Sequence, residues 1–230
     1  MTVNNKKRFL VPTLAIVVAI PLAIGLRVAN SDEGESKKES VETKAEQGNS
    51  QDADSGTAKP GSDLTPAEMV KDLRKLSDQS PVGATRDEQI ASFKKIQRAI
   101  IEVARKLYVA TSTGEEPNLV YAVLAVEAQL ESYVVLIQIG DDVSGEDFSR
   151  LATESEKLFE ASLADKDGGL DIASQAVQAV VQSLAIADQL NQKDAGQTLQ
   201  SFVDKVGSDK RPKIADIGKQ LQLELKLRLP

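Results

Sequence analysis

Three acidic groupings hold whatever chemistry the spacing of this sequence could offer. Asp165-Lys166-Asp167-Gly168-Gly169-Leu170-Asp171 has the look of a calcium loop. Aligning Asp167-Gly168 with the middle of an EF-hand loop, however, puts Leu163 at the first ligand position and Ser174 at the last, where a bidentate Glu is needed. A turn between helices is the expectation instead. Asp141, Asp142, Glu146 and Asp147 form a second cluster. Carboxylates suit a helix N-terminus through the macrodipole, and a divalent-ion site is the sharper alternative. Glu127 and Glu131 are four apart and share a helix face, which would let them act as the acid–base pair of a carboxylate hydrolase. A di-iron bundle would need Glu-x-x-His motifs beside them. Polar or ion-paired positions at the edge of a core are the plainer expectation.

The chain has neither His nor Cys. That removes the imidazole base, the thiolate nucleophile, the disulfide, the usual N/S zinc site and the lipid-modified N-terminal Cys. No Gly-rich phosphate loop or nucleophile elbow is found. No catalytic, cofactor-binding or metal-binding residue is therefore assigned, no cofactor is expected, and the domain is expected to be non-enzymatic. The small-molecule ligand stays open.

The elements that would position these carboxylates read as helices. Aromatic residues are 3% of the chain and Trp is absent, so a core must rely on Leu, Val, Ile and Ala, which suits helix-on-helix packing. Thr65-Pro66-Ala67-Glu68 and Thr85-Arg86-Asp87-Glu88 are capping boxes, the first with Pro at N1. Met69, Val70, Leu73 and Leu76 follow one; Ile90, Phe93, Ile96, Ile100, Val103 and Leu107 follow the other at steps of three and four. Asn118 can cap Leu119 to Ile139, which is apolar nearly all round and predicts a central helix contacted from several sides. Glu127 and Glu131 near its middle argue against a membrane span, although Tyr133 to Ile137 would also tolerate a strand. Gly140 ends it. Phe148 to Leu163 predicts a further helix, Ile172 to Leu190 another rich in Ala, Leu199 to Val206 a short one, and Ile214 with Ile217 a last one behind Pro212. The fold class is all-α: about seven antiparallel helices, as a closed bundle or a hairpin stack.

Ahead of this domain, Phe9 to Leu26 runs about 18 residues without a charge, near the minimum for a bilayer span. Lys6, Lys7 and Arg8 precede it and a mostly acidic stretch follows, so the N-terminus is expected in the cytoplasm with the rest translocated. A retained signal anchor is favoured; cleavage near Ala23-Ile24-Gly25 would instead release a periplasmic or secreted protein. Residues 30–63 carry nine acidic and four basic side chains with Val41 as their one branched apolar residue, the composition of a disordered linker. The chain thus divides into 1–29 (signal anchor or signal peptide), 30–63 (acidic linker), 64–219 (helical domain) and 220–230 (amphipathic tail). The first two carry +4 and −5 of the total −7, leaving −6. No basic stripe stands out there, which argues against a nucleic-acid partner. The membrane, through residues 9–26, and a protein are the expected partners.

In the tail, Leu221, Leu223, Leu225, Leu227 and Leu229 alternate with polar residues. That gives one clean apolar face on a strand and no stripe on a helix, so a strand is predicted against the helical propensities of its residues. Such a strand would need a covering partner. The run from Arg211 to Lys219, passing into Gln220-Leu221-Gln222-Leu223-Glu224-Leu225, resembles the junction in exported thioredoxin-like oxidoreductases of the TlpA/ResA type. There an anchor, a polar linker and a helical region precede the redox domain. The resemblance, which covers Leu64 to Pro230, implies a truncated or degenerate protein of this type that keeps its helical region, with a strand like the first of the redox domain following the junction. The family's CxxC pair has no counterpart here, so no catalytic residue is carried over.

Overall fold

The computed structural model describes residues 64–113, 117–164 and 169–228. Seven helices lie among them: α1 (Pro66–Ser77), α2 (Arg86–Ser112), α3 (Leu119–Gln138), α4 (Gly145–Ser162), α5 (Gly169–Gln189), α6 (Ala195–Gly207) and α7 (Pro212–Arg228). The fold is all-α among the described residues. The anchor and linker readings, 1–29 and 30–63, lie outside them.

Local chemistry sets the helix ends. The Thr65 and Thr85 hydroxyls accept from the backbone N–H of Glu68 and Glu88, whose carboxylates reach back to the N-cap N–H. Asn118 caps α3 by accepting from the Tyr121 N–H, and Ser144 caps α4. At the end of α3, Gly140 takes φ +71, which lets its N–H reach the Ile137 carbonyl and that of Asp141 reach the Leu136 carbonyl. Asn191, at φ 58, closes α5 in the same way.

Packing follows chain order. α2 lies on α3, α4 on α5 and α6 on α7; α1 rests on α2. These pairs are linked by α3 against α4 and α5, and by α5 against α6 and α7. One continuous apolar core runs from Met69 to Ile214, with Leu107, Phe148, Leu151 and Phe159 among its fully enclosed side chains. As expected, α3 is contacted from several sides, by α2, α4 and α5; α5 meets four helices. Both α3 and α5 are long and apolar enough to cross a bilayer, and half of each such stretch is buried against other helices.

The last pair meets through two glycines. A Cβ built on Gly218 would fall into the backbone of Val206 and Gly207, 2.5 Å from the Gly207 Cα. Only the missing side chain lets the helices come this close. On the other side, Phe202 of α6 sets its ring edge-on to Phe159 of α4 at 5.8 Å, and Lys205 binds Glu156 and Glu160 at 2.8 Å each.

The tail departs from expectation. Residues 220–228 are not a strand: α7 runs without a break from Pro212 to Arg228. No sheet edge exists among the described residues to hold a strand, and Gln, Leu, Glu and Lys are all good helix formers. On the helix, Leu221 and Leu225 are a turn apart and pack against the core. Leu223 and Leu227 are left outside. The chain is thus helical where the thioredoxin-like resemblance implies a first strand.

A candidate functional site in a polar groove across three helices

The acidic groupings fare differently. Of the calcium-like run, residues 165–168 lie outside the described part, and Gly169 opens α5. Among the described residues no group of three or more carboxylates is placed to hold a metal ion. The second cluster is split by function. Asp141 receives Lys94 Nζ at 3.1 Å and Arg98 Nη2 at 2.9 Å, both from α2. Burial works against its charge, but these hydrogen bonds hold the carboxyl below its usual range. Glu146 and Asp147 stand in the first turn of α4, where the helix dipole favours them.

Glu127 and Glu131 share a face of α3, as their spacing predicts. Glu127 is half-buried and Glu131 exposed. Burial, and then the charge of Glu131, raise the Glu127 carboxyl above its ordinary value. Neither makes an ion pair among the described residues; of the polar or ion-paired positions expected at the core's edge, they take the polar kind.

The most developed polar arrangement lies elsewhere, on a seam where α2, α3 and α4 meet. Tyr133 of α3 is its hub. Its hydroxyl donates to Asp147 Oδ1 at 3.0 Å and accepts from Arg105 Nη2 at 3.3 Å and Arg150 Nη2 at 3.2 Å. Arg150 also donates to Glu154 at 2.8 Å and to the Gln129 side-chain oxygen, Oε1, at 3.3 Å. Gln129 is fully enclosed and gives its own N–H to the Ala125 carbonyl, so an amide inside an apolar helix is satisfied on both sides. One oxygen of Glu154, Oε2, is buried without a partner. Burial raises the Tyr133 phenol above its usual pKa, as does Asp147, against the two guanidiniums. The hydroxyl therefore stays protonated and serves as a fixed donor.

Beside this hub opens a groove of about 350 Å³, accessible to solvent, lined by Arg98, Glu102 and Arg105 of α2, by Asp142 and by Asp147 of α4. Ile101, Leu136 and Val143 add apolar side chains to its lining. Both signs of charge are present: Arg105 stands 3.8 Å from Asp147, and Glu102 pairs with Lys106 on its own helix at 2.9 Å. Such a groove can offer guanidinium and carboxylate hydrogen bonds at its rim to a polar chain laid across it.

The acidic spacing points to Asp147 but not to Arg98, Arg105, Gln129, Tyr133 or Arg150. A signal was there: Gln129 and Tyr133 stand four apart in a helix otherwise nearly all apolar, and Asp147, Arg150 and Glu154 repeat at steps of three and four. No protein-family model, curated protein or solved structure matches this chain.

Proposed function

We propose that the chain is a non-enzymatic protein of the cell envelope whose helical domain presents a docking surface to a protein partner. Residues 9–26 would hold it in the membrane as a single span with a cytoplasmic N-terminus, or export it if cleaved, and the acidic linker would set the domain's reach. We read the helices as a stack of hairpins, α2/α3, α4/α5 and α6/α7, the architecture of α-solenoids that bind partners along an open side. The observation that supports this most is the groove. Arg105 and Asp147 pair across it at 3.8 Å while Arg98, Glu102 and Asp142 stand along the same opening, which fits a recognition surface better than a reaction site.

The test is a photo-crosslinking residue placed at Glu102 on the rim, in the full chain in its native membranes. A discrete crosslinked protein is expected, lost when the residue is moved to exposed Lys157 of α4. Absence of any crosslink from Glu102, at low or high salt, would sink the reading. A reporter that is active only outside the cytoplasm, fused after residue 63, tests export separately.

A further inference from the structure

α7 packs on α6 and α5 by one side only. Ile214 and Ala215 are buried there and Leu221 and Leu225 rest on the core. On the other side, Lys219, Leu223, Lys226 and Leu227 are all exposed. Their spacing (i, i+4, i+7, i+8) places them on one face of the helix. Leu223 is 62% exposed and Leu227 86%. Val82, Val109 and Val120 are exposed to a similar degree, but Leu223 and Leu227 stand one turn apart on one helix and so make a contiguous apolar patch.

Charge is segregated along the domain in the same sense. Residues 64–209 carry 14 basic and 24 acidic side chains, whereas residues 210–230 carry six basic and two acidic. A net of −6 for the whole domain hides a C-terminal stretch of +4 beside a body of −10. Asp216 is paired with Lys219 at 3.6 Å. Glu224 falls on the flank of the helix opposite Lys219 and Lys226. Lysines border the leucines on one flank and Glu224 on the other, and Asp216, in line with the leucines, has its charge offset by Lys219.

We infer that this face of α7 rests on an anionic lipid surface, with Leu223 and Leu227 entering the headgroup boundary and Lys219 and Lys226 meeting lipid phosphates. Lysine stems are long enough to lie along the apolar zone while the ammonium stays among the headgroups. A basic helix face carrying leucines is the pattern of interfacial binding, and attraction to anionic lipid supplements a small apolar area. A second copy of the chain is a poorer occupant. Two leucines cover far less than the roughly 800 Å² that each partner buries in a stable complex. This inference rests on the envelope reading for access to a bilayer, but not on how residues 9–26 behave.

The absence of cysteine makes the test clean. Leu227→Cys in the full chain gives one attachment point for a nitroxide, and collisions with oxygen or with a water-soluble nickel complex report lipid or water around it. The labelled protein is reconstituted into vesicles of phosphatidylcholine, alone or mixed with phosphatidylglycerol. The oxygen-to-nickel collision ratio is expected to rise only in the anionic vesicles. It should return to the aqueous value at high salt, and in the Lys219→Glu, Lys226→Glu double variant, whose helical content is checked by circular dichroism. A label that stays aqueous in both vesicles overturns the inference. So does a label shielded from both colliders, with spin–spin broadening that grows with the protein-to-lipid ratio, since that would identify a second copy. Alkaline extraction of the same vesicles reports the anchor independently. An extractable chain whose label still senses lipid would sink the anchor and leave the α7 contact standing.

Discussion

The two ends of this helical domain are held by opposite means. At α6–α7 the contact depends on what is missing: Gly218 lets one backbone lie directly on another. At the α2–α3–α4 seam it depends on what is present, since one tyrosine hydroxyl gathers two guanidiniums and a carboxylate from neighbouring helices. A steric contact of the first kind has no tolerance, because backbone cannot rotate away. A network of the second kind shares its load, so the loss of one member leaves others in place. The comparison implies that damage should be all-or-none at one end and graded at the other.

Gly218→Ala should therefore be the most harmful small substitution, costing about 3 kcal/mol, the upper range for overpacking, because the added methyl meets backbone. Thermal unfolding of a domain this size should fall by roughly 10 °C. Gly207→Ala is the sharpening control. Its Cβ would meet the Gln222 amide at 3.0 Å, the far end of a flexible side chain that can move. Its effect should stay below about 1 kcal/mol, since alanine's helix propensity offsets the displacement. Equal losses from both glycines would break the steric account.

At the seam, Arg150→Met should cost about 2 kcal/mol, since it strands Glu154, one of whose oxygens is already buried without a partner. Tyr133→Phe should cost less, about 1 kcal/mol, because Arg105 and Arg150 keep Asp147 within 3.8 and 4.0 Å. The phenol also gives a pH signature. Its folded pKa is raised, so its contribution is fully present below the ordinary value of 10.0 and is lost as pH rises through the higher folded value. Denaturant midpoints of the parent should therefore drop above pH 10 relative to those of Tyr133→Phe. Parallel curves would show that the hydroxyl is not held as described.

What could be read from the sequence followed the range of each signal. Capping boxes at Thr65 and Thr85, Pro66 at N1 and Gly140 at the end of α3 act within a few residues, and each is found where expected. The seam was not legible, because Arg105 and Tyr133 are 28 residues apart and Lys94 and Asp141 are 47 apart. Periodicity marks such residues as merely polar. The strict leucine alternation after Gln220 misled for a different reason. It is a true local pattern, but a strand needs a neighbouring strand, and the helical core instead offered a surface for Leu221 and Leu225. The leucines that no helix stripe could explain are the ones left exposed.

The smallest expected effect separates the two ends by their electrostatics. In the loop between α6 and α7, Asp209 accepts from the Arg211 backbone N–H at 2.9 Å, from Nε at 2.8 Å and from Nη2 at 2.7 Å. Arg211 also reaches the Leu163 carbonyl at 3.2 Å, tying this loop to the end of α4. Hydrogen bonds from the Arg211 side chain, more than charge alone, lower the Asp209 pKa to about 2. A depressed carboxyl contributes stability that is present above its ordinary 3.8 and lost as pH falls through about 2. Arg211→Lys removes the planar fork, so the Asp209 titration, followed by carboxyl-carbon NMR, should climb toward 3.8 and bring the acid loss up with it. Asp141, held across helices by Lys94 and by Arg98, whose side chain is 64% exposed, should be released by salt more readily than Asp209, whose contacts come from a residue two positions away. Should salt shift both carboxyls alike, the division between a cross-helix network and a locally closed loop would lose its electrostatic basis.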